Sequence, residues 1–107
     1  MNIQELQDRI QKFVEKNKLD SPLEFRVLDL TSEVGEISKE ILKMTNYGTS
    51  PLNKNKEIES ELGDVLYSLI VVANKLNINL EKSLNLVLEK YSKRLKKGSA
   101  GSEVDKI

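Results

Sequence analysis

Glu33 with Glu36, and Glu61 with Asp64, are acidic pairs at the same spacing, read as Glu33-Val34-Gly35-Glu36 and Glu61-Leu62-Gly63-Asp64. Residues three apart on a helix are surface neighbours, so each pair can present two carboxylates to one point. If the two helices pack antiparallel, four carboxylates converge and repel by on the order of several kcal/mol at a low effective dielectric. A cation between them would relieve that repulsion. Histidine and cysteine are absent from the chain, so only oxygen ligands are available, a set that favours Mg²⁺, Mn²⁺ or Ca²⁺ over zinc or copper. Magnesium held by carboxylates keeps waters and takes phosphate oxygens as further ligands, which suits water activation and charge neutralisation on a polyphosphate. A basic strip, Lys90, Arg94 and Lys97, recurs at steps of four and three and is the candidate grip on outer phosphates.

Each feature also has a plain structural explanation. Acidic residues at helical spacing are most often a solvated face, and basic residues near a helix C-terminus answer the helix dipole. What favours a site is repetition: the same spacing occurs on two neighbouring segments, with glycine in the same slot. A glycine inside a helix costs about 1 kcal/mol, so Gly35 and Gly63 imply an offsetting gain, either close helix approach or room for a ligand. Tyr47 lies between the two acidic segments and is the aromatic residue most open to a role outside the core, such as stacking on a base.

The elements that must position these residues follow from hydrophobic periodicity. Ile3, Leu6, Ile10, Phe13 and Val14 predict an amphipathic helix over about Ile3 to Lys16. Ser21 before Pro22 predicts an N-cap with proline at the first helical position. From Pro22 to Met44 the positions Leu23, Val27, Leu30, Val34, Ile37, Ile41 and Met44 form one stripe, with Glu33, Glu36 and Glu40 along its edge. Phe25, Leu28 and Leu42 make this helix apolar on other faces too, so it is expected to be central or to meet a second subunit. Thr45 to Asn55 reads as a loop. A third helix over Lys56 to Leu76 carries Ile58, Leu62, Val65, Leu66, Leu69, Val72, Ala73 and Leu76 on its stripe, flanked by Glu61, Asp64 and Ser68. Asn79 is expected to cap a fourth helix running to Lys97.

The expected fold is all-α, a four-helix bundle-type subunit completed by dimerisation, with one domain over residues 1–97 and a flexible C-terminal tail over residues 98–107. Seventeen basic and seventeen acidic residues give zero net charge, so no overall field favours nucleic acid or an anionic membrane. No apolar run approaches the roughly 18 residues needed to span a bilayer. The opening Met1-Asn2-Ile3-Gln4-Glu5 lacks a basic region followed by an apolar core, so no secretory signal is expected, and the absence of cysteine fits a reducing cytoplasm.

At the acidic segments the chain resembles the MazG-like, all-α nucleoside triphosphate pyrophosphohydrolases, whose pattern is Glu-Glu-x-x-Glu followed about one helix later by Glu-x-x-Asp. The matching residues are Ser32-Glu33-Val34-Gly35-Glu36-Ile37 and Glu61-Leu62-Gly63-Asp64-Val65-Leu66-Tyr67, continuing through Ala73-Asn74-Lys75-Leu76-Asn77-Ile78-Asn79-Leu80-Glu81. Ser32 stands where the pattern has its first glutamate. The resemblance implies a Mg²⁺-dependent enzyme that cleaves a nucleoside triphosphate between the α and β phosphates, giving a nucleoside monophosphate and pyrophosphate. It implies Glu33, Glu36, Glu61 and Asp64 as metal-holding, catalytic residues, and a homodimer or dimer of dimers whose cleft is completed by paired subunits. House-cleaning of surplus or non-standard nucleotides would be one role. The alternatives are a phosphoribosyl-ATP pyrophosphatase of the same superfamily and a non-catalytic helical dimerisation module.

Overall fold

The computed structural model describes residues 1–98. Those residues form four helices and no strand: α1 (Ile3–Lys16), α2 (Leu23–Met44), α3 (Glu57–Lys75) and α4 (Leu80–Lys96). Of the tail expected over residues 98–107, all but Gly98 lies outside the described residues. No described helix is long and apolar enough to cross a membrane.

Local chemistry sets the helix starts. Asn2 Oδ1 accepts from the Glu5 N–H while the Glu5 carboxylate accepts from the Asn2 N–H, a reciprocal capping box that opens α1. Asn79 Oδ1 accepts from the Lys82 N–H at 3.0 Å and opens α4 as expected. The start of α2 differs from expectation. Pro22 takes the cap position with φ −58° and ψ 149°, and no side chain caps the helix. The extended ψ of Pro22 delays the helix by one residue, which leaves Ser21 one position too far upstream to cap it. The Pro22 carbonyl instead accepts from the Phe25 and Arg26 N–H groups.

Packing makes α3, not α2, the central element: it lies against α2 on one side and α1 on the other, while α4 rests chiefly on α1. Two ties at opposite ends show that α2 and α3 run antiparallel. Lys75 Nζ meets Asp20 Oδ1 at 2.9 Å, and Asn55 Nδ2 donates to Glu40 Oε1 at 2.9 Å. α1 is likewise antiparallel to α3, with Gln7 beside Asn74 and the Phe13 ring edge-on to Tyr67 at 6.3 Å between centroids. The buried core is narrow: Val14, Met44, Ile58, Ile70, Val71 and Ala73, with Ile70 only 1% exposed. Gln7, on the apolar face of α1, is buried as well. Its Nε2 donates to Asn74 Oδ1 and the Ile78 carbonyl, and its Oε1 accepts from the Leu80 N–H, so one carboxamide pins the turn between α3 and α4.

The single apolar stripe read on α2 divides in two. Leu23, Leu30, Ile37 and Met44 are buried or half-buried, with Arg26, Glu33 and Glu40 filling the positions between them. Val27, Val34 and Ile41 are turned to solvent, between 41% and 49% exposed. The stripe on α3 divides in the same way: Ile58, Val65 and Val72 are covered while Leu62, Leu66, Leu69 and Leu76 are exposed. Period alone cannot separate two adjacent stripes about 100° apart on one helix, and here one stripe packs within the chain and the other does not.

Candidate active site

Antiparallel packing brings Glu33, between Leu30 and Ile37 on α2, opposite Glu61, between Ile58 and Val65 on α3. Both are half-buried, and Asp64 joins them from the exposed edge of α3. Each of the three offers a carboxylate oxygen within 4.8 Å of the others. Glu36, the fourth expected member, lies outside this trio, although its charge still acts on Glu61. Ser32 is exposed on α2 and takes no part in the cluster.

Glu61 feels the arrangement most. Partial desolvation first, then the charges of Asp64, Glu36, Glu33 and Glu40, raise its pKa above the ordinary 4.5. Both causes disfavour the ionised carboxylate. The donor set is three close carboxylates without nitrogen or sulfur, which fits a hard divalent cation and offers nothing to a soft one.

Glu40 is the carboxylate whose part was not legible from spacing. It lies on the same edge as Glu33 and Glu36, yet its side chain is only 5% exposed, held by Lys43 Nζ at 3.3 Å and by Asn55 Nδ2. The burial depends on Asn55, 15 positions further along the chain and beyond a loop, and no periodic signal marks that partner.

The basic strip is placed differently from the acids. Lys90 and Arg94 flank the Tyr91 ring at 5.2 and 6.0 Å, and Lys97 closes α4. A shallow cleft runs along Leu86, Glu89, Lys90, Lys93 and Arg94. Among the described residues no ion pair joins Lys90, Arg94 or Lys97 to the acidic cluster within one chain. Tyr47 is 70% exposed in the loop, in the left-handed region at φ +58°. Close approach within the chain does not account for the glycines, because a Cβ at Gly35 or Gly63 would meet nothing within 4 Å.

The profile of the MazG nucleotide pyrophosphohydrolase domain matches residues 22–99, which takes in α2, α3, α4 and both acidic pairs. The chain therefore belongs to the MazG nucleotide pyrophosphohydrolase domain family. It is 38% identical over 68 residues to the uncharacterized protein YpjD of Bacillus subtilis (strain 168), a match covering 61% of this chain and 60% of that protein. Among solved structures, it is similar to the Bacillus-conserved MazG protein, a nucleotide pyrophosphohydrolase, with a TM-score of 0.71 and 30% identity over 85% of this chain and 89% of that one. The crystal structure of YpjD from Bacillus subtilis gives a TM-score of 0.72 and 28% identity over 85% and 95% of the two chains.

Proposed function

We propose that this chain hydrolyses a nucleoside triphosphate between the α and β phosphates, releasing a nucleoside monophosphate and pyrophosphate. The observation that carries the reading is the meeting of Glu33, Glu61 and Asp64 oxygens within 4.8 Å, in a chain of this family. Glu33, Glu36, Glu61 and Asp64 would hold Mg²⁺, with Mn²⁺ as a substitute. The bound ion would supply charge neutralisation on the phosphates and a more acidic water. The two helices contribute rigidity: Glu33 and Glu61 project from packed faces, so their separation does not depend on a loop.

Lys90, Arg94 and Lys97 would hold the outer phosphates. Because no ion pair joins them to the acids among the described residues of one chain, the reading includes a homodimer or dimer of dimers in which paired subunits complete the cleft. The exposed second stripes of α2 and α3 support that assembly. Surplus or non-standard nucleotides are the substrate class for a house-cleaning role.

The test is pyrophosphate release across a panel of nucleoside triphosphates, with and without Mg²⁺. Release that needs Mg²⁺ and vanishes in Asp64→Asn is the expected result. Absence of release from every nucleotide, or full activity in Asp64→Asn, would overturn the reading.

A further inference from the structure

We infer that Glu40 is a positioning residue for the carboxylate cluster, acting through Asn55 to fix the first turn of α3. The inference rests on the metal-site reading proposed above.

A buried carboxylate is costly unless it is paired, and an apolar side chain would fill the same space without that cost. Glu40 is paired on both oxygens: Asn55 Nδ2 donates to Oε1 at 2.9 Å and Lys43 Nζ meets Oε2 at 3.3 Å. Asn55 is engaged at its other end too. Its Oδ1 accepts from the Ile58 N–H at 3.1 Å, and its own N–H reaches Met44 Sδ at 3.2 Å. Lys56 already has helical dihedrals, φ −78° and ψ −28°, so Asn55 occupies the place of a capping residue for the first turn of α3. One side chain thus joins a buried carboxylate of α2 to the origin of α3.

Glu61 lies one turn beyond Ile58. A slip of α3 by one residue would rotate Glu61 by about 100° away from Glu33. The connection before α3 is long and includes Asn46, Tyr47 and Gly48 at positive φ; its backbone hydrogen bonds to α2 reach Asn53, whose N–H donates to the Met44 carbonyl, just short of the first turn of α3. Burial of Ile58, Ile70 and Val71 sets which face of α3 packs, and the Glu40–Asn55 bridge fixes its first turn at the end of the hairpin nearest the cluster.

The bridge has a direction, with a carboxamide donating to a carboxylate, and this permits an exchange test on the full chain with MgCl₂ as the only ligand. Asn55→Asp keeps a capping oxygen but sets a second carboxylate against Glu40, and Asn55→Ser keeps a capping oxygen that cannot span the gap. Both are expected to weaken Mg²⁺ binding by about tenfold in calorimetric titration, while Glu40→Gln with Asn55→Asp, which exchanges the two groups, returns it to within about threefold of the parent. Metal-free melting is recorded for each variant. Unchanged Mg²⁺ affinity in the single variants, whether or not their melting temperature falls, overturns the positioning role, as does a double variant no better than Asn55→Asp. Failure of the parent chain to bind Mg²⁺ overturns the metal-site reading and this inference together, whereas a binding parent with indifferent variants overturns this inference alone.

Discussion

Glu61 is where the chemistry proposed for the site and the stability of the fold conflict. Its pKa is raised by desolvation and by four neighbouring carboxylates, so its ionised form destabilises the metal-free fold at neutral pH. Removing the charge without changing the shape should relieve that strain: Glu61→Gln is expected to raise the metal-free melting temperature. If the cluster holds Mg²⁺ as proposed, millimolar Mg²⁺ is expected to raise the melting temperature of the parent by binding only the folded state, and the same variant is expected to lose that shift together with turnover. Thermal melts with and without Mg²⁺ read both effects; a lower metal-free melting temperature with a retained Mg²⁺ shift would contradict them. Glu33, Glu61 and Asp64 were legible from spacing because period and residue type suffice to put carboxylates on one helix edge. Glu40 was not, because its burial is decided by a partner across a loop.

At the scale of elements, the four helices were legible to within about a residue at most ends, since apolar steps of three and four and the asparagine cap at Asn79 are local signals. Which stripe of each helix meets a neighbour was not legible, since that depends on tertiary packing. The consequence is that stability is concentrated on α3. Ile70→Ala, at the most buried side chain, is expected to cost about 2–5 kcal/mol in denaturant unfolding; a loss under 1 kcal/mol would show that the site collapses to fill the gap. The far end of the hairpin is closed by Asp20 and Lys75. Hydrogen bonding to Lys75 and its charge lower the Asp20 pKa below 3.8. A depressed carboxylate contributes stability above its unfolded pKa and loses it as pH falls through the folded value. The difference in melting temperature between the parent and Lys75→Met should therefore shrink as pH is lowered from 6 to about 3. A difference that stays constant would assign the effect of Lys75 to its packing. The contribution is modest because Asp20 is exposed.

At the scale of the whole molecule, the exposed apolar stripes and the two glycines belong together. Val27, Val34 and Ile41 on α2, with Leu62, Leu66 and Leu69 on α3, are each 40% or more exposed, and Gly35 and Gly63 adjoin those stripes with open space where a side chain would be. In an isolated chain, Gly35→Ala and Gly63→Ala should each stabilise a helix by about 1 kcal/mol, because alanine is the better helix former and meets no obstruction. Against a second copy the methyl groups would stand in the seam and hold the helices apart. The two effects have opposite signs and can be separated by concentration. If the chain pairs as proposed, the variants are expected to melt higher at concentrations where the parent is dissociated. In sedimentation at rising concentration, they are expected to associate more weakly than the parent. Weaker association combined with a more stable single chain places the glycines in the subunit interface. A higher melting temperature with undiminished association would move that interface away from the second stripes of α2 and α3, and leave the space beside Gly35 and Gly63 to the substrate.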